Sequence, residues 1–202
     1  MLRFGCDSLA DLPIRFVTGS AGSPAKEGAE GGGFKNPEEV STLVLLQAIR
    51  ERVDVPLTAA GGIFDGAAWR PRSLGAEGVQ MGTRFVASVE SPVHDHFKQA
   101  IVAAEATGTW ALNKQSTACI QALKTQRTQA IFEAGLMPAD AFAGIQPVYF
   151  GGDMEAAPAL AGQSVGSIHE VLTMQQFFDA TAAEFDAITA RLGALGAGRA
   201  FG

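Results

Sequence analysis

Apolar residues in this chain gather in short runs that stop at glycine, set among longer stretches where they recur every three or four positions. Two of the short runs are Leu57-Thr58-Ala59-Ala60-Gly61-Gly62 and Gly78-Val79-Gln80-Met81-Gly82-Thr83-Arg84-Phe85, about twenty residues apart. A brief continuous apolar run bounded by turn residues suits a strand buried on both faces of a parallel sheet. Ahead of the first run the spacing is helical. Val40, Leu43, Val44 and Ala48 share a face, with Asn36 as N-cap, Pro37 at the first helical position, and Glu38 and Glu39 in the first turn. Arg50 and Arg52 sit near its C-terminal end, and the helix feeds a strand around residues 55–59. After the second glycine turn, Ser91-Pro92 opens a helix running to about Ala104. The order of strand and helix is that of a βαβ unit.

Beyond Thr107 the pattern predicts helices separated by Gly/Pro loops, such as Gly135-Leu136-Met137-Pro138 and Phe150-Gly151-Gly152-Asp153. The last helix carries a capping box, Thr173 with Gln176 three residues on. Its stripe of Phe177, Phe178, Phe185, Ile188 and Leu192 reads as a core-facing surface. No internal repeat is present.

A strand that ends in a residue without a side chain lets backbone N–H groups approach a ligand closely. Two such strands side by side make a paired N–H cradle suited to phosphate. In a (β/α)8 barrel the loops after strands 7 and 8 form the usual phosphate site. Spacing alone fits this reading and plain close packing equally well.

Composition narrows the class. At 202 residues and 47% hydrophobic, the chain can bury a sizeable core. No apolar run is long enough to span a membrane, and the N-terminus lacks the basic-then-apolar order of a signal peptide. Cys6 and Cys119 make neither a disulfide framework nor a metal spacing, so a reducing cytoplasm is expected. The net charge of −6 without a Lys/Arg cluster argues against nucleic-acid binding.

The wording around the turns is more specific. In order stand Gly28-Ala29-Glu30-Gly31-Gly32-Gly33, Ala59-Ala60-Gly61-Gly62-Ile63-Phe64-Asp65-Gly66, Leu74-Gly75-Ala76-Glu77-Gly78 continuing to Phe85, Glu90-Ser91-Pro92-Val93-His94, and Ala161-Gly162-Gln163-Ser164-Val165-Gly166. Taken together these blocks closely resemble the nitronate monooxygenase (2-nitropropane dioxygenase) family of FMN enzymes, whose near relatives are the FMN-dependent enoyl-ACP reductases. The resemblance implies an α/β fold of (β/α)8 TIM-barrel type. Residues 27–106 would supply C-terminal βα units of an FMN-binding barrel, and residues 107–202 a helical extension and closing helix. Residues 1–26 do not resemble the family, offering at best one weak strand near residues 13–18, and the early barrel strands are expected to be missing. A second departure is Gly66-Ala67-Ala68-Trp69-Arg70-Pro71-Arg72-Ser73, where the family has a small-residue helix that Pro71 would break. A compensated frameshift accounts for that wording, since codons for the usual small residues read one base out of register yield Ala-Trp-Arg-Pro-Arg-Ser.

The resemblance also implies site residues. Gly61, Gly62, Gly82 and Thr83 donate backbone N–H groups to the FMN phosphate, Thr83 adds a hydroxyl, Gln80 faces the cofactor or is simply an inward barrel residue, and Met81 beside it is expected among the cofactor-binding residues. Gln163 reaches the flavin from the C-terminal segment or is simply a polar residue at a helix start. The family carries histidine after its Glu-x-Gly-Gly stretch, and here Phe34 stands in that position. Phenylalanine cannot be a general base, which leaves the base unassigned with Lys35 and Glu30 as candidates. His94 and His96, two apart on a helix, point to different sides and do not chelate one ion. His169 stands alone on a helix, and no metal is expected.

Three functions follow. The first is an FMN-dependent oxidoreductase of nitronate monooxygenase type, taking electrons from a small nitronate-like donor or NAD(P)H and passing them to oxygen or a quinone. The second is an FMN-dependent enoyl-thioester reductase using the same cradle. The third is a truncated, inactive barrel fragment with open sheet edges. Expected partners are a small-molecule substrate and NAD(P)H, without nucleic acid or membrane, and with homo-oligomerisation left open.

Overall fold

The two glycine-ended runs form neighbouring parallel strands. β2 (Thr58–Ala60) pairs with β3 (Gly78–Gln80) in the register Thr58 to Gly78, Ala59 to Val79 and Ala60 to Gln80. Because the last residues of both strands are partners, the turns that follow them leave the sheet at the same end. The computed structural model describes residues 28–35, 39–52, 54, 56–66, 73–116 and 119–197. The expectations for residues 1–26, for Asn36, Pro37 and Glu38, and for the Trp69-Arg70-Pro71-Arg72 segment lie outside these.

α1 (Thr42–Arg50) precedes β2. Its N-cap is Ser41, whose hydroxyl accepts from the Val44 N–H, so the described helix starts later than the Asn36 cap implied. Glu39, expected in the first turn, instead pairs with Lys35 and Lys114. The buried face is also different from the expected one. Thr42 and Leu46, one turn apart, face inward, while Val40, Leu43 and Val44 are exposed. Leu46 packs with Leu57, Ala59, Ile63, Ala76, Met81 and Phe177 in one core cluster beside the β2–β3 pair.

After β3 come the short α2 (Thr83–Val86) and α3 (Asp95–Val102). α3 begins later than Ser91-Pro92 predicted, because His94 is the cap: its Nδ1 accepts from the His96 N–H at 3.1 Å. Phe97 and Ile101 on α3 are fully buried and anchor a second cluster with Val148, Ala159 and Val165.

The expectation of an all-helical region beyond Thr107 is corrected by two strands. β4 (Thr109–Leu112) and β5 (Cys119–Leu123) pair antiparallel, and β5 also pairs antiparallel with β1 (Gly33–Lys35), giving the order β1-β5-β4. All five residues of β5 are buried, so the run has no polar alternation to mark it as a strand. α4 (Gln126–Ala134) follows, capped by Thr125 and closed by Gly135 at φ 69°. A π-helical turn (Pro147–Gly151) and a 3-10 turn (Gln163–Ser167) lead to α5 (Met174–Ala197). The capping box at the start of α5 is as predicted: Gln176 N donates to Thr173 Oγ1 at 3.1 Å, and Thr173 N to Gln176 Oε1 at 2.9 Å. The stripe is only partly buried. Phe177 packs inward against Phe85, edge to face with centroids 5.5 Å apart, while Phe178 and Leu192 are exposed. Among the described residues no helix is long and apolar enough to cross a membrane.

Candidate functional site

A cavity of about 310 Å³ opens where β2 and β3 end. Much of its wall is backbone: Gly31, Gly32 and Gly33 leading into β1, Gly61 and Gly62 after β2, and Gly82 and Thr83 after β3. Ile63, Val86, Tyr149 and Leu160 give it an apolar side, and Glu30, Gln80 and Ser164 give it polar edges. Among the described residues no lysine, arginine or histidine lines it.

The glycines are there for two physical reasons. Gly61 and Gly62 have φ of 100° and 70°, the left-handed region that costs a residue with a side chain. Gly32 is needed for close approach, since a Cβ there would stand 2.6 Å from the Ala161 carbonyl carbon and the Gly162 nitrogen. The segment before β1 and the segment before the 3-10 turn therefore meet backbone to backbone. Gln163 N donates to Glu30 O at 2.8 Å and locks the same contact.

Among the described residues the N–H groups of Gly62, Gly82 and Thr83 meet no backbone acceptor, while that of Gly61 faces β3 at the last pair of the ladder, Ala60 with Gln80. A backbone donor left without a partner beside a cavity is a donor to a ligand or to water. The Thr83 hydroxyl accepts from the Gly162 N–H at 2.8 Å, which leaves its own proton to be donated. Such a donor set suits an anion held by dispersed dipoles, and among the described residues no basic side chain lines the cavity as a counter-ion.

The other sequence-derived site residues divide. Gln80 lines the cavity, and Met81, its neighbour, turns the other way into the core between Leu57 and Phe177. Gln163 is exposed at the start of the 3-10 turn, outside the lining, and its Nε2 donates to Ala29 O at 3.2 Å. Phe34 is 63% exposed and rests against Phe142, centroids 5.3 Å apart, so the position expected to carry the base lies outside the lining. Lys35, on the opposite face of β1, is buried; its ammonium donates to Ala29 O at 2.9 Å and pairs with Glu39 at 3.3 Å, away from the cavity. Glu30 does line the cavity, with its Oε2 engaged by the Thr42 N–H and hydroxyl, each at 2.9 Å.

His94 and His96 stack edge to face with centroids 4.6 Å apart, and His96 Nδ1 lies 3.0 Å from Gly152 O. They tie α3 to the turn after the π-helix. His169 lies in an exposed loop rather than on a helix. Among the described residues no group of three or more His, Cys, Asp or Glu side chains is placed to hold a metal.

Tyr149 is the main residue that sequence reasoning missed. Its ring meets Phe97 edge to face at 4.9 Å and lines the cavity. Burial pushes its phenol above the ordinary tyrosine range, with a backbone hydrogen bond at Leu160 pulling the other way. It is the sole tyrosine of the chain, yet nothing in its neighbours marks it, because it reaches the site through the fold. Leu160 and Ser164 arrive in the same way.

The family model described as nitronate monooxygenase matches residues 24–179. The (3aS,4S,5R,7aS)-5-hydroxy-7a-methyl-1-oxo-octahydro-1H-indene-4-carboxyl-CoA dehydrogenase of Rhodococcus jostii is 36% identical over 112 residues, 55% of this chain and 31% of that protein. A probable nitronate monooxygenase of Staphylococcus haemolyticus is 37% identical over 93 residues, 41% of this chain and 26% of that one. Among solved structures, FabK from Thermotoga maritima superposes with a TM-score of 0.78 at 35% identity, covering 84% of this chain and 56% of that one. A nitroalkane oxidase from Streptomyces ansochromogenes superposes with a TM-score of 0.69 at 24% identity, covering 82% and 52%, a likeness of fold. The chain thus spans under a third of these curated relatives and a little over half of these solved ones.

Proposed function

The chain belongs to the nitronate monooxygenase family, and from that premise we propose that it is an FMN-dependent oxidoreductase whose flavin phosphate sits at the ends of β2 and β3. One observation carries the reading: three backbone N–H groups without backbone acceptors, on two adjacent glycine turns, border a cavity that no basic side chain lines among the described residues. A phosphate dianion suits that donor set, and the open space over Gly82, where a Cβ would meet nothing within 4 Å, leaves room for it. The cavity volume lies at the lower end of the usual range for small-ligand pockets, about 300–1,000 Å³.

In this reading the N–H groups of Gly62, Gly82 and Thr83 hold the phosphate with Gly61 giving close approach, and the Thr83 hydroxyl adds a fourth donor. Ile63, Val86 and Leu160 exclude water from the opposite side. FMN, when bound, supplies hydride- and electron-accepting chemistry in its ring system. Tyr149, protonated at neutral pH, is the group in the wall best able to donate a hydrogen bond to a substrate oxygen, a task that Phe34 cannot perform. β2 and β3 would be part of a (β/α)8 barrel, with the later region of the chain, from β5 onward, closing its phosphate end. The electron donor is a small nitronate-like molecule or NAD(P)H, and the acceptor is oxygen or a quinone.

A second reading, an enoyl-thioester reductase, draws on the 35% identity to FabK across most of this chain. Consumption of NAD(P)H that depends on an enoyl thioester would select it over nitronate oxidation.

The test is the visible spectrum of the purified protein, followed by heat release and identification of any chromophore. Flavin absorption with FMN released is the expected result. A colourless protein that takes up no added FMN would overturn the reading.

A further inference from the structure

Thr42 is buried at the start of α1 and does not line the cavity, yet three segments converge on its hydroxyl. Oγ1 lies 3.0 Å from Ala60 O, 2.9 Å from Gly61 O and 2.9 Å from Glu30 Oε2, so one proton is shared among three acceptors. The packing admits nothing larger than hydrogen on the facing glycines. A Cβ on Gly61 would come within 2.8 Å of this oxygen, and a Cβ on Gly28 would collide with it.

The two carbonyls belong to successive peptide groups. The Ala60 carbonyl shares its plane with the Gly61 N–H, and the Gly61 carbonyl shares its plane with the Gly62 N–H. In a trans peptide, C=O and N–H point in opposite directions. Anchoring both oxygens on one hydroxyl therefore turns both N–H groups to the side away from Thr42, that of Gly61 toward β3 and that of Gly62 beyond the end of the ladder. Gly28 N, which donates to Ala60 O at 3.2 Å, holds the first of these planes from a second direction. Glycine at both positions is what allows the consecutive positive φ values this requires. Glu30 completes the arrangement. Two bonds from Thr42 fix its carboxylate on the Thr42 side of the turn, which makes it a clamp on Thr42.

We propose that Thr42 is the positioning residue of the anion site, holding the Gly61 turn so that the Gly61–Gly62 peptide presents its N–H group to the cavity. The proposal rests on the reading of the cavity as a flavin-phosphate site, and it makes a claim about the turn that can be measured without flavin.

The experiment compares the wild-type chain with Thr42→Val, Thr42→Ala and Thr42→Ser. Two quantities are read: the amide proton and nitrogen chemical shifts of Gly61 and Gly62, and affinity for FMN and for riboflavin by fluorescence quenching. The hydroxyl-free variants are expected to move the Gly61 and Gly62 amide resonances, because the direction of these peptide groups changes. They should bind FMN at least about tenfold more weakly, as loss of a charge-assisted network implies. Riboflavin, which lacks the phosphate, should bind as it does to wild type, and Thr42→Ser should match wild type throughout. Thr42→Ala avoids placing a methyl against Gly28 and serves if Thr42→Val does not fold.

Unchanged Gly61 and Gly62 amide shifts in a folded hydroxyl-free variant would overturn the proposal, whatever happens to FMN. Equal weakening of FMN and riboflavin, or failure of Thr42→Ser to behave as wild type, would reduce Thr42 to general packing and overturn it as well. A wild-type chain that binds no FMN but whose Gly61 and Gly62 amide resonances move on loss of the hydroxyl would sink the flavin reading and support the role of Thr42.

Discussion

Tyr149 puts a protonated phenol in the cavity wall, and its burial makes a measurable claim. Its ionisation lies above the usual tyrosine range, chiefly through desolvation of the phenolate. As the single tyrosine in the sequence, it alone contributes to an ultraviolet phenolate titration. The native protein should ionise at higher pH than the urea-unfolded chain. The sign for stability follows: a folded-state value raised above the unfolded one gives a contribution present below about pH 10 and lost as pH rises through the folded value. Coincident native and unfolded titrations would mean that the phenol is solvated and has no special place in the wall. Little of this was legible beforehand. Glu30 and Lys35 stood out as charges beside glycines, but only the fold separates them, sending Lys35 to Glu39 and Glu30 to Thr42 and the cavity edge.

Helix ends were legible where a cap acts over three residues, and the start of α5 is the clear case. Thr173 and Gln176 exchange bonds, and Met174 N also donates to Glu90 at 3.0 Å, so two orphan donors of the first turn are satisfied from different segments. Thr173→Ala should destabilise by about 1 kcal/mol, lowering the midpoint of thermal unfolding by roughly 2–4 °C for a chain of this size. No change in calorimetry would mean that the Glu90 contact alone holds the end. The strand β5 was missed for the converse reason. A strand covered on both faces shows no alternation, and its identity is settled by partners far along the chain.

At the scale of the whole molecule, the cavity exists because segments from both ends of the described chain close on each other. The register of β5 with β1 and the contact of Gly32 with Ala161 and Gly162 bring Leu160, Gly162 and Ser164 to the ends of β2 and β3. Gly32→Ala drives a methyl into backbone atoms that have no rotamer to escape to. It should cost about 1–3 kcal/mol as an overpacked contact, read by denaturant unfolding. Gly82→Ala is the control. Its φ of −106° suits alanine and its Cβ meets nothing within 4 Å, so stability should stay within about 0.5 kcal/mol of wild type. Equal costs at the two positions would show that the Gly32 contact is looser than the distances imply.

The sequence by itself determined the family, the two strands that end in glycine, the parallel pairing that their spacing implies, and the cap of α5. Each of these is a property of a few consecutive residues, or of an order of motifs that survives without coordinates. The tertiary structure alone decided where α1 begins and which face it buries, that β5 joins β1, and that Tyr149 rather than Phe34 lines the cavity. It also decided the bond from Gly162 to Thr83, across 79 residues, and the bonds from Thr42 to Glu30, Ala60 and Gly61. The physical reason is the range of the interaction: backbone propensity and capping act within a turn of chain, whereas the direction of a peptide dipole at the cavity is set by whatever distant group its carbonyl finds.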